Sequence, residues 1–175
     1  MPEPFVVAFV PGVTPGKWAR IWSERMPRVP LELRPASETD ALAALGGDAQ
    51  MAFLRDVTAS DDLHVIPLYR EQPVAVVARD SVIAAVDTVT LADLAGFTRV
   101  EGQDAAAVEL VAAAGGVTIM PQSVARSLSR KDVVARPVTD AADTGIGLAW
   151  PVTAQHPLIE TFIGIVRGRT ANSSR

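Results

Sequence analysis

The stretch FVPGVTPGKW, residues 9–18, contains the residue types from which many anion-binding turns are built. A short apolar run ends there in Pro-Gly, Thr14 offers a hydroxyl, and Pro15 suits the first position of a helix. The first amides of a helix have no partner inside that helix, and the helix dipole favours an anion beside them. The amides from Gly16 onward would be such donors, so the stretch predicts a site for a small anion.

The same turn also has an interpretation that needs no ligand. Thr14 is an acceptable N-cap, and its hydroxyl could be used on its own helix. A phosphate-binding P-loop fits less well, because it needs four residues between its glycines and a Ser or Thr after its lysine. Here three residues separate Gly12 from Gly16, and Trp18 follows the lysine. The sequence leaves open an anion site and a self-capped helix.

A second candidate for anion binding is Arg55, which follows the apolar segment MAFL at residues 51–54. If this segment is a strand, its carboxyl end lies at the edge where ligands of open α/β sheets bind. An arginine there could hold a carboxylate through two parallel hydrogen bonds. The alternative is a solvated turn residue that pairs with the neighbouring Asp56.

Catalytic and metal chemistry find little support in the sequence. The chain has no cysteine, which excludes disulfides, thiolate metal sites and cysteine nucleophiles. His64 and His156 stand in no metal-ligand spacing, and the serines of PQSVARSLSRK lack a nucleophile-elbow pattern. FTRV resembles the Thr-Arg-Phe motif of prephenate dehydratases at Thr98 and Arg99, but valine replaces the phenylalanine. We expect no metal, no cofactor and no enzymatic activity.

The composition favours one soluble domain. The chain has 175 residues, of which 49% are hydrophobic, and no apolar run approaches the ~20 residues that span a bilayer. The net charge is −4 with both signs interspersed, so no basic field is available for a phosphate backbone. Glu3 stands where a signal peptide would have basic residues. We expect a cytoplasmic protein that binds neither nucleic acid directly nor membranes.

The elements that would position these residues alternate along the first third of the chain. Apolar runs predict strands, and the helical spacing of Trp18 and Trp22 predicts a helix between the first two. The predicted order is strand 5–10, helix 15–26, strand 29–33, a helix opened by Ser37 or Thr39, and strand 51–54. This order is typical of an α/β unit with a parallel sheet and right-handed crossovers.

The remainder of the chain mixes short strands with short helices. Strands are predicted at residues 63–69, 73–78, 97–100, 117–120, 133–138 and 146–150. Helices are predicted at residues 90–94, 104–114, 121–128 and 156–166. The last residues, TANSSR, form a polar tail.

Four segments in this order resemble the effector-binding domain of LysR-type transcriptional regulators. They are FVVAFVPG with the helix start after it, ALAALGGDAQMAFL, LHVIPLYREQPVAVVARD with VTLADLAG, and ELVAAAGGVTIMP. The second matches a helix with leucine, then glycine and an acidic residue before a strand. The fourth matches a helix, a glycine turn and a strand that ends in proline. The ordered set covers nearly the whole chain.

The resemblance implies an α/β fold with two lobes, of the periplasmic-binding-protein type 2 kind, joined by two crossover segments. It implies that a small ligand is held in the cleft between the lobes. Residues 1–79 and 144–168 would form lobe I, residues 80–143 lobe II, and residues 169–175 a polar tail. The implied ligand-binding residues are Gly12, Val13, Thr14, Gly16, Arg55, Met120, Pro121 and Gln122.

Two departures from the family pattern add further expectations. The family's regulators begin with a winged helix-turn-helix, whereas this chain begins at the first strand, so we expect a stand-alone domain without direct DNA binding. Only FTRVEGQDAAAV separates LADLAG from ELVAAAGG, where the family has a further strand and helix. Lobe II is therefore expected to be truncated by one such unit, about 25 residues.

The resemblance thus predicts a non-catalytic domain that binds a small anionic metabolite, with lobe closure as the output. The alternative is an interaction module that forms a homodimer, or docks on a LysR-type regulator, without binding a ligand. The second strand would then be the natural pairing edge. A third and least favoured hypothesis is an enzyme of related fold, similar to prephenate dehydratase.

Overall fold

A computed structural model describes residues 2–169 and divides them into two compact units. The first unit contains the described residues up to Tyr69 and from Ile146 onward, and the second contains Arg70–Gly145. Each unit has its own sheet and its own buried apolar clusters. The predicted polar tail lies outside the described residues, except for Arg169.

The elements follow the predicted order closely. The strands are β1 Phe5–Phe9, β2 Leu31–Pro35, β3 Met51–Arg55, β4 Leu63–Glu71, β5 Pro73–Ala78, β6 Val117–Pro121, β7 Val133–Pro137 and β8 Thr144–Pro151. The α-helices are α1 Gly16–Arg25, α2 Glu38–Ala44, α3 Leu91–Leu94, α4 Ala105–Ala114, α5 Gln122–Ser127 and α6 Ile159–Val166. One 3₁₀ turn covers Val82–Ala85.

The sheet of the first unit has the strand order β2-β1-β3-β8-β4. β1 pairs in parallel with both β2 and β3, which confirms the α/β unit predicted from the sequence. The first four residues of β1 and of β3 are buried, because helices cover this part of the sheet on both faces. Aromatic rings fill the core: Trp22 stacks on Phe5 at 5.0 Å, and Trp18 stacks on Phe53 at 4.7 Å.

The second unit contains a three-stranded antiparallel sheet with the order β6-β5-β7. Its central strand is β5, which the sequence analysis placed in lobe I. The valine-rich run explains this position, because successive side chains enter two different apolar clusters. Val74 and Val76 belong to the cluster under α4 and α5, whereas Ala75 and Val77 belong to the cluster on the other face.

One predicted strand of the second unit is reduced to a single bridge. Residues 97–100 do not form a strand, but Arg99 bridges Val117 in parallel. The amide of Val117 donates to the carbonyl of Thr98 at 2.9 Å, and that of Val100 donates to the carbonyl of Val117 at 2.9 Å. The pairing does not extend further because Gly115 and Gly116, directly before Val117, have positive φ and are not in an extended conformation.

Two glycines after α4 give a test of this packing. Gly115 and Gly116 both have positive φ, 80° and 89°, but only a Cβ at Gly116 would meet the carbonyl oxygen of Thr98, at 2.6 Å. We expect Gly115→Ala to lower the free energy of unfolding by about 1–3 kcal/mol, because φ 80° with ψ −164° is a backbone conformation that is essentially confined to glycine. Gly116→Ala should lower the free energy of unfolding by about 1–3 kcal/mol more, because the backbone at Thr98 must also move to make room for the new Cβ. Urea unfolding followed by circular dichroism measures both variants, and equal losses would contradict the close contact.

Candidate functional site

The predicted binding residues of the first unit meet at one edge of its sheet. Because β1, β2 and β3 are parallel, their carboxyl ends lie on the same edge. The β1–α1 turn at residues 10–15, the start of α2 and the end of β3 are therefore neighbours there. This is the edge at which ligands of open α/β sheets bind.

The backbone of the β1–α1 turn is fixed from both sides. The amide of Val10 donates to the carbonyl of Phe53 at 3.2 Å, which ties the end of β1 to β3. The amide of Val13 donates back to the carbonyl of Val10 at 3.3 Å, and Gly12 has φ 91°, which a side chain would oppose. Val13 is buried in the core of the first unit, so the turn cannot swing outward.

The start of α1 differs from the prediction. The N-cap is Pro15, not Thr14, and no side chain caps the helix. Val13 and Pro15 are buried, whereas Thr14 and Gly16 are exposed between and after them. Because Val13 and Pro15 are both buried, Thr14 between them faces solvent. Self-capping by Thr14 is therefore wrong as an interpretation of this turn.

The first turn of α1 carries positive charge without an acidic residue to balance it. Lys17 lies in this turn, with its Nζ 4.7 Å above the ring of Trp18. Among the described residues, no hydroxyl or carboxylate accepts the amides of Gly16 and Lys17. The amides, the dipole and the ammonium group together favour an anion at this position.

The start of α2 on the same edge is already occupied by its own side chains. Ser37 is the N-cap, as predicted, and its hydroxyl accepts the amide of Asp40 at 3.1 Å. Glu38 and Asp40 place two carboxylates in the first turn. An external anion is therefore disfavoured at α2, whereas the start of α1 is open to one.

Arg55 is a buried brace beneath the turn. Its side chain is only 8% exposed, so the prediction of a solvated turn residue is wrong. Its Nη2 donates to the carbonyl of Pro11 at 3.0 Å, and its Nε lies 3.6 Å from Oε1 of Glu38. These contacts join β3 to the β1–α1 turn and to α2. Direct contact between Arg55 and a ligand stays a prediction.

Glu38 is a member of this edge that the sequence analysis missed. Burial raises the pKa of its carboxyl above the ordinary value, the guanidinium of Arg55 opposes this rise, and the carboxylate of Asp56 adds to it. The signal in the sequence was its place directly after Ser37, at the start of the helix that follows β2. Asp56 itself has φ 49°, so the chain turns sharply where β3 ends.

The other three predicted binding residues lie in the second unit. Met120 is 1% exposed and belongs to the apolar cluster under α4 and α5. Pro121 is the N-cap of α5, and the amide of Gln122 donates to the carbonyl of Gln72 at 3.2 Å. Their contact with a ligand stays a prediction.

Two features are absent from residues 2–169. These residues contain no group of three or more His, Asp or Glu side chains that could hold a metal ion. None of their helices is long and apolar enough to cross a membrane.

Comparison with known proteins identifies a family. The sequence pattern described as the LysR substrate binding domain matches residues 9–104 and 102–171. No curated protein sequence matches significantly. The two matched segments meet inside the stretch where the sequence predicts a truncated second lobe. The truncation, and the absence of a DNA-binding segment, stay predictions.

Solved structures show the same fold. The effector-binding domain of a BenM variant has a TM-score of 0.80 at 17% identity, over 97% of this chain and 98% of that one. The BenM effector-binding domain with its effector benzoate has a TM-score of 0.79 at 18% identity, over 95% and 91%. A Corynebacterium glutamicum OxyR mutant with bound H2O2 has a TM-score of 0.77 at 20% identity, over 95% and 67%. The predicted family and its periplasmic-binding-protein type 2-like fold are confirmed.

The bracing role of Arg55 predicts a specific loss of stability. Arg55→Met keeps the apolar stem but leaves the carbonyl of Pro11 without this donor, so the free energy of unfolding should fall by about 1–3 kcal/mol. Arg34→Met is the control, because Arg34 is 42% exposed and its contacts, to Glu32 and to the carbonyl of Asp48, lie at the surface. A loss below about 1 kcal/mol is expected there. Urea unfolding followed by tryptophan fluorescence reports on both, and similar losses would rule out the brace.

Proposed function

This chain belongs to the LysR substrate-binding domain family, and we propose that it is a non-catalytic domain that binds a small anionic metabolite at the β1–α1 turn. The observation that carries the proposal is the uncapped start of α1, with the exposed hydroxyl of Thr14 beside it. A carboxylate placed there would accept the amides of Gly16 and Lys17 and the Thr14 hydroxyl.

The surroundings of the turn support an anion rather than a neutral ligand. The ammonium group of Lys17 lies in the same turn of α1, and the guanidinium of Arg55 lies beneath the carbonyl of Pro11. The first turn of α1 contains no acidic residue. The similar BenM domain has benzoate as its effector, which is a small carboxylate. Carboxylates are therefore the first class of ligand to examine.

The contacts of the turn support a non-catalytic role. Within residues 2–169 the Thr14 hydroxyl makes no hydrogen bond with a base that could activate it as a nucleophile. Glu38 is linked to the turn by Arg55, with which it forms an ion pair. The family is one of regulatory effector-binding domains, which agrees with binding as the function.

A ligand screen on the whole chain tests this proposal. Small carboxylates, amino acids and sugar phosphates are added to the wild type, and an anion that binds should raise Tm. Thr14→Val keeps the shape but removes the hydroxyl, so Kd by calorimetry should weaken by about tenfold or more. Thr153→Val is the matched control, because Thr153 is an exposed threonine in the loop after β8. Since β8 runs antiparallel to β3, this loop lies at the opposite edge of the sheet.

The controls separate the possible results. The proposal is supported by an anion that raises the Tm of the wild type and of Thr153→Val by the same amount and raises the Tm of Thr14→Val by less. Equal Kd values in all three proteins would remove the turn from the binding site. The absence of any shift across the screen would count against ligand binding and in favour of the second candidate.

The second candidate function is self-association through β2. This strand is at the end of the sheet and pairs with β1 alone among the described strands. Leu31 and Leu33 are half-buried and pack against the core of the first unit, so an apolar strip accompanies the unpaired backbone edge. A second copy of the chain could cover both.

Light scattering coupled to size exclusion tests self-association directly. The mass should equal that of two chains at high concentration and decrease towards one chain on dilution, because the edge is short and the contact reversible. A mass of one chain at every concentration would contradict pairing.

A further inference from the structure

We propose that the second unit has a binding site of its own, for a small carboxylate with an apolar body, in a cavity between β5, β7 and α5. The cavity is lined by residues of Arg70–Gly145 alone, so it is separate from the turn at Thr14. Its volume is about 270 Å³. The proposal stands whether or not an anion binds in the first unit.

The floor of the cavity is apolar. It includes Val74 and Val76 of β5, Val108 of α4 and Val133 of β7, all of which are buried. All four belong to the same apolar cluster of the second unit. Ligand pockets commonly combine such a floor with a few polar groups that fix orientation. A sugar or a dianion would leave its polar groups without partners against these valines, which is costly.

The polar part of the lining comes from α5 and the residues after it. Gln122, Arg126 and Ser129 line the cavity, and their side chains make no hydrogen bond or ion pair within residues 2–169. The neighbouring Arg130, in contrast, pairs with both Asp132 and Glu109. Arg126 is therefore a positive charge beside an apolar floor, with no carboxylate from the described chain to neutralise it.

These two features define the class of ligand. An aromatic ring or a branched alkyl chain would contact the valines, and its carboxylate would accept from Arg126 and Gln122. The volume lies just below the usual range for drug-sized ligands, so a ligand with a single ring or a short branched chain is expected. Phenylacetate has this size and both parts, and phenylacetamide is its neutral counterpart.

The experiment follows the valine methyl signals of the full chain by NMR during titration with phenylacetate. Saturable shifts are expected at the four floor valines, and phenylacetamide should bind about tenfold more weakly. Arg126→Gln should weaken phenylacetate by a similar factor. Ala135→Leu should abolish binding, because Ala135 lines the cavity from an exposed position of β7 and can be enlarged without disturbing the core.

Two controls make the result specific. Arg99→Gln removes another exposed arginine of the second unit that does not line the cavity, and it should leave Kd unchanged. Thr14→Val should also leave the valine shifts unchanged, so this proposal and the anion site can fail independently. Circular dichroism of each variant checks that it is folded.

Three outcomes would overturn the proposal. The first is the absence of saturable shifts at the floor valines. The second is a Kd for phenylacetate that does not change in Arg126→Gln, or that phenylacetamide equals. The third is undiminished binding by folded Ala135→Leu, which would place the ligand elsewhere on the chain.

Discussion

The guanidinium of Arg55 is the contact on which the candidate site depends. A charge that is mostly removed from water must be paired, and Arg55 finds its partners in the carbonyl of Pro11 and the carboxylate of Glu38. These partners belong to two other segments of the same edge. One buried side chain at the end of β3 thereby fixes both the β1–α1 turn and the start of α2. The amides of Gly16 and Lys17 follow this turn directly, so the contact between Arg55 and Pro11 also fixes their position.

Most of the fold could be predicted because burial leaves a direct trace in the sequence. β1 and β3 are covered on both faces, so they appear as unbroken apolar runs, and the helices between them have clear starts and stops. The place of β5 could not be predicted in the same way. A valine-rich strand is equally suited to either unit, and only its pairing with β6 and β7 decides between them.

The candidate site was predictable by position but not by geometry. The sequence placed Thr14 and Arg55 at one edge, since both follow strands of a parallel sheet. It assigned the N-cap to Thr14, because it could not show that Val13 and Pro15 are both drawn into the core. It also missed Glu38, since a contact between Glu38 and Arg55 depends on how three strands are paired. The position of Arg126 beside a cavity could not be predicted for a similar reason, because β5, β7 and α5 together form that cavity.

The two candidate sites differ in what limits their affinity. At the α1 start, an anion would gain a few hydrogen bonds worth about 1.5–3 kcal/mol each, against an association cost of about 4 kcal/mol or more. For three such bonds the remainder is at most about 5 kcal/mol, which corresponds to a Kd no tighter than about 0.1–1 mM, and Thr14 is exposed enough for salt to weaken binding further. The cavity of the second unit differs, because it offers apolar surface for burial and a single charged group, Arg126. A metabolite that binds the turn much more tightly than millimolar must therefore bury apolar surface in addition to its carboxylate.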